Sequence, residues 1–317
     1  MQNALAIVLE SPEHLSLSRL DLDARTEDDV VVQTAWSGIS TGTERLLFRG
    51  RMPDFPGMGY PLVPGYETVG TIIEAGSRSH LREGQMVFVP GSRCFGPVRG
   101  LFGGAASHLI SPASRVVPVS EELGEKAILI ALAATAYHAR AASSSAANPG
   151  GDLIIGHGVL GRLLARLSVI EGGEPPTVWE TNPARVGGGT EYAVCPPEHD
   201  PRRDRRIIYD VSGDATLLDT LISRMAPGGE IVLAGFYEAP LAFTFPPAFM
   251  REARIRVAAQ WRESDLIAVT QLIESGALSL DGLITHRRPA ADAAAAYPIA
   301  FNDPECLKMV IDWRQCQ

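Results

Sequence analysis

Lysine is almost missing from this chain. Of 28 basic residues, all but Lys126 and Lys308 are arginine. Neither lysine stands beside a motif suited to an amine nucleophile, so covalent amine chemistry has little support. Cysteine is scarce too: Cys94, Cys195, Cys306 and Cys316 are scattered without ligand-type spacing. A disulfide framework is not needed for a core of this size, and a reduced, cytoplasmic compartment is the better expectation. No apolar run is long enough for a membrane span, which leaves only peripheral association with a membrane. The segment Met1 to Glu10 carries no basic leader and reads as a strand. No basic tract offsets the formal net charge of -9, so nucleic acid is not an expected partner. One cluster, Arg202-Arg203-Asp204-Arg205-Arg206, is most simply a solvated loop; its alternative is to hold a phosphate or an acidic group.

What is present is enough for two domains: 317 residues, 45% of them hydrophobic and 21% charged. The organising stretch is Gly156-His157-Gly158-Val159-Leu160-Gly161, between the apolar run Leu153-Ile154-Ile155 and the helical pattern of Arg162 to Ile170. Strand, tight turn and helix in that order form a dinucleotide fingerprint. The first glycine permits the turn, the second admits a pyrophosphate to the backbone, and the third lets helix and strand lie close. A second strand, Pro176 to Glu180, ends in an acid at the distance expected of a ribose ligand. A glycine-rich structural turn that binds nothing is the plainer alternative.

The first part of the chain is short-stranded and turn-rich. Ala4 to Leu9, Leu15 to Leu20 and Val30 to Trp36 read as strands, and Arg45 to Arg49 as one or two helical turns started near Ser40 or Thr43. Gly50 to Pro64 holds four prolines and cannot be a regular helix: it is either a loop packing its own apolar residues or a rim covering substrate. Between Glu121 and Ala147 the pattern becomes an alanine-rich helix, and Ser143 to Gly151 reads as a linker. Beyond the glycine motif, Ala215 to Met225 reads as an amphipathic helix stopped by Pro227-Gly228-Gly229, with Ile255 to Gln260 as a last strand.

The β-rich first part, Gly65-Tyr66-Glu67-Thr68-Val69-Gly70, the helix around Thr135-Ala136, Gly156 to Gly161 and Ile284-Thr285-His286-Arg287 together resemble the medium-chain dehydrogenase/reductase family over essentially the whole chain. The resemblance implies an α/β protein of two domains: a GroES-like, mainly antiparallel β catalytic domain at 1–121, a Rossmann dinucleotide-binding domain at 122–262, and a return to the catalytic domain at 263–317, with the active site in the cleft. Three narrower stretches, Trp36 to Glu44, Phe55 to Glu67 and Trp179 to Pro183, resemble dehydrogenases of bacteriochlorophyll biosynthesis. Those enzymes oxidise the 3-(1-hydroxyethyl) group of a tetrapyrrole, a bacteriochlorophyllide or chlorophyllide, to 3-acetyl.

The departures from the family's zinc-dependent branch are as informative. Ser40 stands where that branch has a cysteine ligand, Tyr66 where it has a histidine, and Ala133-Ala134 near its third ligand. Cys94 stands alone in place of a four-cysteine structural lobe. Neither zinc site is expected, and no metal cofactor. Something else must then handle the alcohol proton and the developing alkoxide. The candidates are Tyr66, Thr43 and Ser40, with Glu67 as an orienting or relay acid; a tyrosine base at neutral pH requires a lowered pKa or a relay to solvent. His108 and His138 read as a surface and a packed histidine.

The coenzyme residues on this reading are Gly156, His157, Gly158, Val159, Leu160, Gly161, Glu180, Asn182, Arg185 and Thr135, with the side chain of His157 bordering the coenzyme. Glu180 favours NAD over NADP because a carboxylate accepts ribose hydroxyls and repels a phosphate; Arg185 softens that preference or is a surface residue. Phe48, Phe55, Met58, Tyr60, Phe95, Phe102, Phe236 and Phe243 are the candidate apolar lining for a planar substrate, some of them ordinary core. A homodimer and transient contact with pigment-biosynthesis enzymes are the partner expectations. The rival functions are a zinc-free NADPH-dependent quinone or enone reductase and a non-catalytic, nucleotide-binding redox sensor or assembly protein.

Overall fold

The computed structural model describes residues 3–54, 56–141 and 151–316. Phe55 and all of the expected linker except Gly151 lie outside the described residues. The chain divides into two compact units, Met1–Ala131 with Leu283–Gln317, and Leu132–Gly282.

The second unit is built on a parallel sheet of six strands. Across the sheet they run Ala193–Cys195, Thr177–Trp179, Leu153–Ile155, Arg205–Asp210, Met225–Leu233 and Arg254–Val257. In chain order that is third, second, first, fourth, fifth and sixth, the doubly wound order of a Rossmann domain. Leu153, Ile154 and Ile155 are all buried, as a strand covered on both faces must be. Helix Val159–Glu171 follows at once, burying Val159, Leu163, Leu164 and Leu167 along one side. Gly172 ends it at φ 81°, a conformation costly for a side-chain-bearing residue.

Four sequence expectations are corrected in detail. Helix Leu218–Arg224 is shorter than 215–225, because Met225 already belongs to a strand and pairs with Arg205. Pro227-Gly228-Gly229 is therefore an irregularity inside strand Met225–Leu233 and not a stop before it. The last strand is Arg254–Val257, which ends at Val257 where its pairing with Leu233 ends. Finally, the stretch after Glu121 is not one helix. Gly124 (φ 50°, ψ −132°) breaks it, so Glu121–Leu129 forms 3-10 turns and α-helix runs only over Ile130–Ala141.

The first unit holds two sheets. The larger follows the path His286–Pro289, Met309–Asp312, Asp29–Ile39, Thr68–Ala75, Met86–Val89, Val117–Pro118, with His108–Pro112 also paired to Asp29–Ile39. All its pairs are antiparallel except the first. Strand Met309–Asp312 sets Met309 opposite Ile39, so the end of the chain completes a sheet begun near its start. The smaller sheet runs His14–Asp21, Asn3–Ser11, Leu62–Pro64, Arg99–Leu101. Helix Ala293–Asn302 buries Ala293, Ala296, Tyr297 and Ala300 in this unit's core. Among the described residues no helix is long and apolar enough to cross a membrane.

Candidate active site

The glycine loop is a tight turn on which a helix closes. Gly156 sits at φ 99° and donates its N–H to the carbonyl of Trp179 at 2.8 Å. A Cβ on Gly161 would lie 1.8 Å from the Gly156 carbonyl oxygen, so the third glycine is what lets helix Val159–Glu171 close on the turn. A Cβ on Gly158 would meet nothing within 4 Å, and no side chain caps the helix there. The N–H groups of the first turn, among them those of Val159 and Leu160, have no intrahelical acceptor, which is the chemistry that suits a helix start to an anion.

Glu180 follows strand Thr177–Trp179 and is tied to this loop. Its Oε2 accepts the main-chain N–H of His157 at 2.9 Å, and its Oε1 accepts that of Asn182 at 2.8 Å. The Asn182 side chain caps the turn Pro183–Arg185 through the N–H of Ala184. Arg185 contributes its carbonyl, which accepts from the Nδ1 of His157 at 2.6 Å and from Arg162 Nη2 at 3.1 Å. The His157 ring is fully buried and turned into the protein, with Nε2 2.9 Å from the Tyr192 hydroxyl. A carbonyl can only accept, so Nδ1 carries the ring proton and Nε2 accepts from Tyr192. Burial, helped by the Arg162 charge, lowers the imidazole pKa to about 4 and keeps it neutral. His157 is thus a brace behind the loop. Thr135 is half-buried on helix Ile130–Ala141.

Arg162 was not singled out by the sequence reading. It is buried, and it donates to the carbonyls of His157, Arg185 and Gly187. The signal was an arginine directly after the last glycine of the motif, on the face of the helix that should be apolar. The arginine-rich cluster resolves as structure: Arg205 is buried on Asp200 and Thr177, while Arg202 pairs with Asp204.

In the first unit, two turns bring the remaining candidates together. Ser40 follows strand Asp29–Ile39, Thr43 begins helix Thr43–Phe48, and Tyr66-Glu67 immediately precede strand Thr68–Ala75. The Tyr66 hydroxyl donates to Ser40 Oγ at 2.7 Å, and the Thr43 side chain hydrogen-bonds to the same phenol. Burial, and then the charge of Glu67, hold the Tyr66 phenol well above its ordinary pKa. A lowered tyrosine pKa, one of the two routes open to a tyrosine base, is therefore not what the site provides. The ring packs edge-on against Phe102, centroids 5.5 Å apart.

Glu67, the next residue, is fully buried. Both of its oxygens accept from Lys308 Nζ, at 2.8 and 2.7 Å. It fits only because position 38 is glycine: a Cβ there would lie 2.1 Å from Glu67 Oε2. Glu44, also missed by the sequence reading, is buried one helical turn after Ser40. Its Oε1 accepts the Ser40 N–H at 3.0 Å and its Oε2 accepts the Tyr297 hydroxyl at 2.9 Å. Burial and the neighbouring Glu67 raise its carboxyl to about 7 against the hydrogen bonds that lower it. An acid four residues after a turn serine was the available signal.

Among the described residues no three His, Cys, Asp or Glu side chains are grouped to hold a metal ion. His138 is satisfied by Asp265 at 2.8 Å. Of the aromatic candidates, Phe95 is core and Phe48 packs on Phe301, while Tyr60 and Met58 pack on the small cluster around Leu9 and Leu62. Phe243 is exposed.

Residues 26–121 match the alcohol dehydrogenase GroES-like domain. The chain is 55% identical over 314 residues, 98% of each protein, to 2-desacetyl-2-hydroxyethyl bacteriochlorophyllide A dehydrogenase of Cereibacter sphaeroides. It is 54% identical over 312 residues, again 98% of each, to the protein of that name from Rhodobacter capsulatus. Among solved structures, L-idonate 5-dehydrogenase from Escherichia coli superposes with a TM-score of 0.87 over 98% of both chains at 19% identity, a likeness of fold.

Proposed function

The chain belongs to the bacteriochlorophyllide a dehydrogenase family, a zinc-less branch of the medium-chain dehydrogenases and reductases, and from that premise we propose how its own residues carry the reaction. It oxidises the 3-(1-hydroxyethyl) group of a bacteriochlorophyllide to 3-acetyl, with NAD as coenzyme, in bacteriochlorophyll biosynthesis. The observation that carries this is the 55% identity sustained over 98% of both chains. The reaction belongs in the cytoplasm, with the pigment handed over at the periphery of the photosynthetic membrane.

The glycine loop fits the coenzyme. Its open side at Gly158 takes the pyrophosphate, and Glu180, anchored by two main-chain N–H groups, presents its remaining lone pairs to the ribose hydroxyls. That carboxylate makes NAD the preferred form over NADP. When bound, NAD supplies the hydride acceptor for the carbinol carbon.

The hydroxyl chain Thr43, Tyr66, Ser40 does the work on oxygen. With Thr43 donating to Tyr66 and Tyr66 to Ser40 Oγ, the Ser40 proton is free to point at the substrate oxygen. Each donor polarises the next, which strengthens the last bond as negative charge develops on that oxygen. For the alcohol proton to leave, the chain first turns round, so that the substrate hydroxyl donates to Ser40 Oγ, Ser40 to Tyr66 and Tyr66 to Thr43; each hydroxyl then takes one proton and passes one on, and solvent water at half-buried Thr43 accepts the last. No phenolate is needed, in keeping with the raised Tyr66 pKa.

The test is turnover of 3-(1-hydroxyethyl) bacteriochlorophyllide a by chelator-treated protein, with NAD and NADP compared and both reduced coenzyme and acetyl pigment followed. NAD-linked acetyl formation that survives chelation is the expected result. Coenzyme binding without acetyl product would overturn the assignment.

A further inference from the structure

Lys308 is one of two lysines in a chain that otherwise uses arginine, and it is buried at 1% exposure of its side chain. It precedes strand Met309–Asp312, whose pairing with Asp29–Ile39 carries the lysine to the turn at Ser40. Its ammonium has three N–H donors and three acceptors around it: Glu67 Oε1 at 2.8 Å, Glu67 Oε2 at 2.7 Å and the carbonyl of Ile39 at 3.3 Å. Ile39 is the residue before Ser40, and Glu67 is the residue after Tyr66. One buried cation thus grips the two turns whose side chains form the hydroxyl chain.

We propose that Lys308 is a positioning residue of the dehydrogenase, which holds Ser40 and Tyr66 in hydrogen-bonding register by tying Ile39 to Glu67. This rests on the function proposed above. A compact ammonium suits the task because its donors spread over directions that a planar guanidinium cannot match. Gly38 leaves the space that the carboxylate occupies, since a Cβ there would lie 2.1 Å from Glu67 Oε2. The charged and titratable groups that face Glu67 are Lys308, Glu44 and the Tyr66 phenol. Lys308 is thus the cation that compensates the carboxylate, and removing it leaves a buried negative charge unpaired.

A merely structural ion pair and a positioning one give different results in a pair of variants. Lys308→Met leaves Glu67 unpaired, and its melting temperature should fall more steeply with rising pH than that of the wild type. Glu67→Gln/Lys308→Met removes both charges and should regain the wild-type steepness. If Lys308 positions the two turns, kcat stays depressed about 100-fold in both variants, while the KM for NAD is unchanged. Full recovery of kcat in the double variant would make Lys308 a counter-ion only and overturn the proposal. So would Lys308→Met with wild-type kcat. A readout independent of turnover is the Tyr66 ring-carbon resonance in tyrosine-labelled protein, assigned by loss in Tyr66→Phe. It should move in both variants, and a resonance that stays in place refutes the positioning role. Wild-type protein that fails to oxidise the pigment, yet shows the displaced resonance in both variants, would sink the proposed reaction and leave the positioning of Tyr66 standing.

Discussion

Glu180 and His157 are joined by a hydrogen bond of 2.9 Å from the main-chain N–H of the loop residue to the carboxylate. The acid that we propose faces the ribose is thereby also a strut of the glycine loop. Glu180→Gln can accept one of the two N–H groups it now serves and must set its amide against the other. The affinity for NAD should fall about 10- to 100-fold, as expected when a charge-assisted hydrogen bond is lost. The preference for NAD over NADP should narrow as well, because the charge that repels a phosphate is gone. Titration of both coenzymes against protein fluorescence checks this; an unchanged ratio of the two affinities would remove Glu180 from coenzyme selection.

The two glycines on either side of the helix start should respond oppositely to alanine. At Gly161 the added methyl lies 1.8 Å from a backbone oxygen, so either turn or helix must move. Gly161→Ala should lose about 2–4 kcal/mol of stability. At Gly158 the backbone is extended, at φ −72°, and the methyl enters open space. Gly158→Ala should melt like the wild type and bind NAD at least about 10-fold more weakly, because the methyl fills the pyrophosphate's approach. Equal melting losses in the two variants would contradict this division of roles.

The glycine loop was legible in the sequence because its requirements are local: three glycines, a short apolar strand and a helix within one stretch of chain. The place of Glu180 at the end of the next strand was legible for the same reason. What escaped were residues whose roles depend on distant partners. Lys308 meets Glu67 across 241 positions and Glu44 meets Tyr297 across 253, so neither pairing leaves a trace in spacing. His157 shows the complementary limit. Its place in the loop was plain, yet the direction of its ring is set by Arg185 and Tyr192 downstream. The helix ends were missed where pairing overrode local signals, as at Met225, which a neighbouring strand draws into the sheet two residues before the Pro-Gly-Gly turn.

Glu44 makes stability depend on pH in a stated direction. Its carboxyl titrates near 4.5 when unfolded and at about 7 when folded, so the folded protein binds the extra proton between those values. The stabilisation is complete below the unfolded value and is lost as pH rises through about 7, to the extent of about 3 kcal/mol. Glu44→Gln keeps an acceptor for the Ser40 N–H and cannot ionise. Urea unfolding at pH 5 and pH 8 should show a drop in the wild type that is largely absent in the variant. A drop of equal size in both would assign the titration to another group.

Tyr66→Phe tests the hydroxyl chain at its middle. The ring keeps its edge-on contact with Phe102, so melting should change little, while Ser40 Oγ loses the donor now 2.7 Å away. A fall in kcat of about 100-fold is expected, the usual range for a positioned group that moves or stabilises a proton. Thr43→Val breaks the chain one link further out and should slow the same step. A chain interrupted once gains nothing from a second break, so Tyr66→Phe/Thr43→Val should be no slower than Tyr66→Phe alone. If the two losses multiply instead, the hydroxyls act separately on the substrate oxygen, and the proton does not travel through Thr43. Because the phenol is held well above its ordinary pKa, the wild type should also show no kinetic inflection from Tyr66 up to about pH 10. An inflection in that range that disappears in Tyr66→Phe would restore tyrosine as the base.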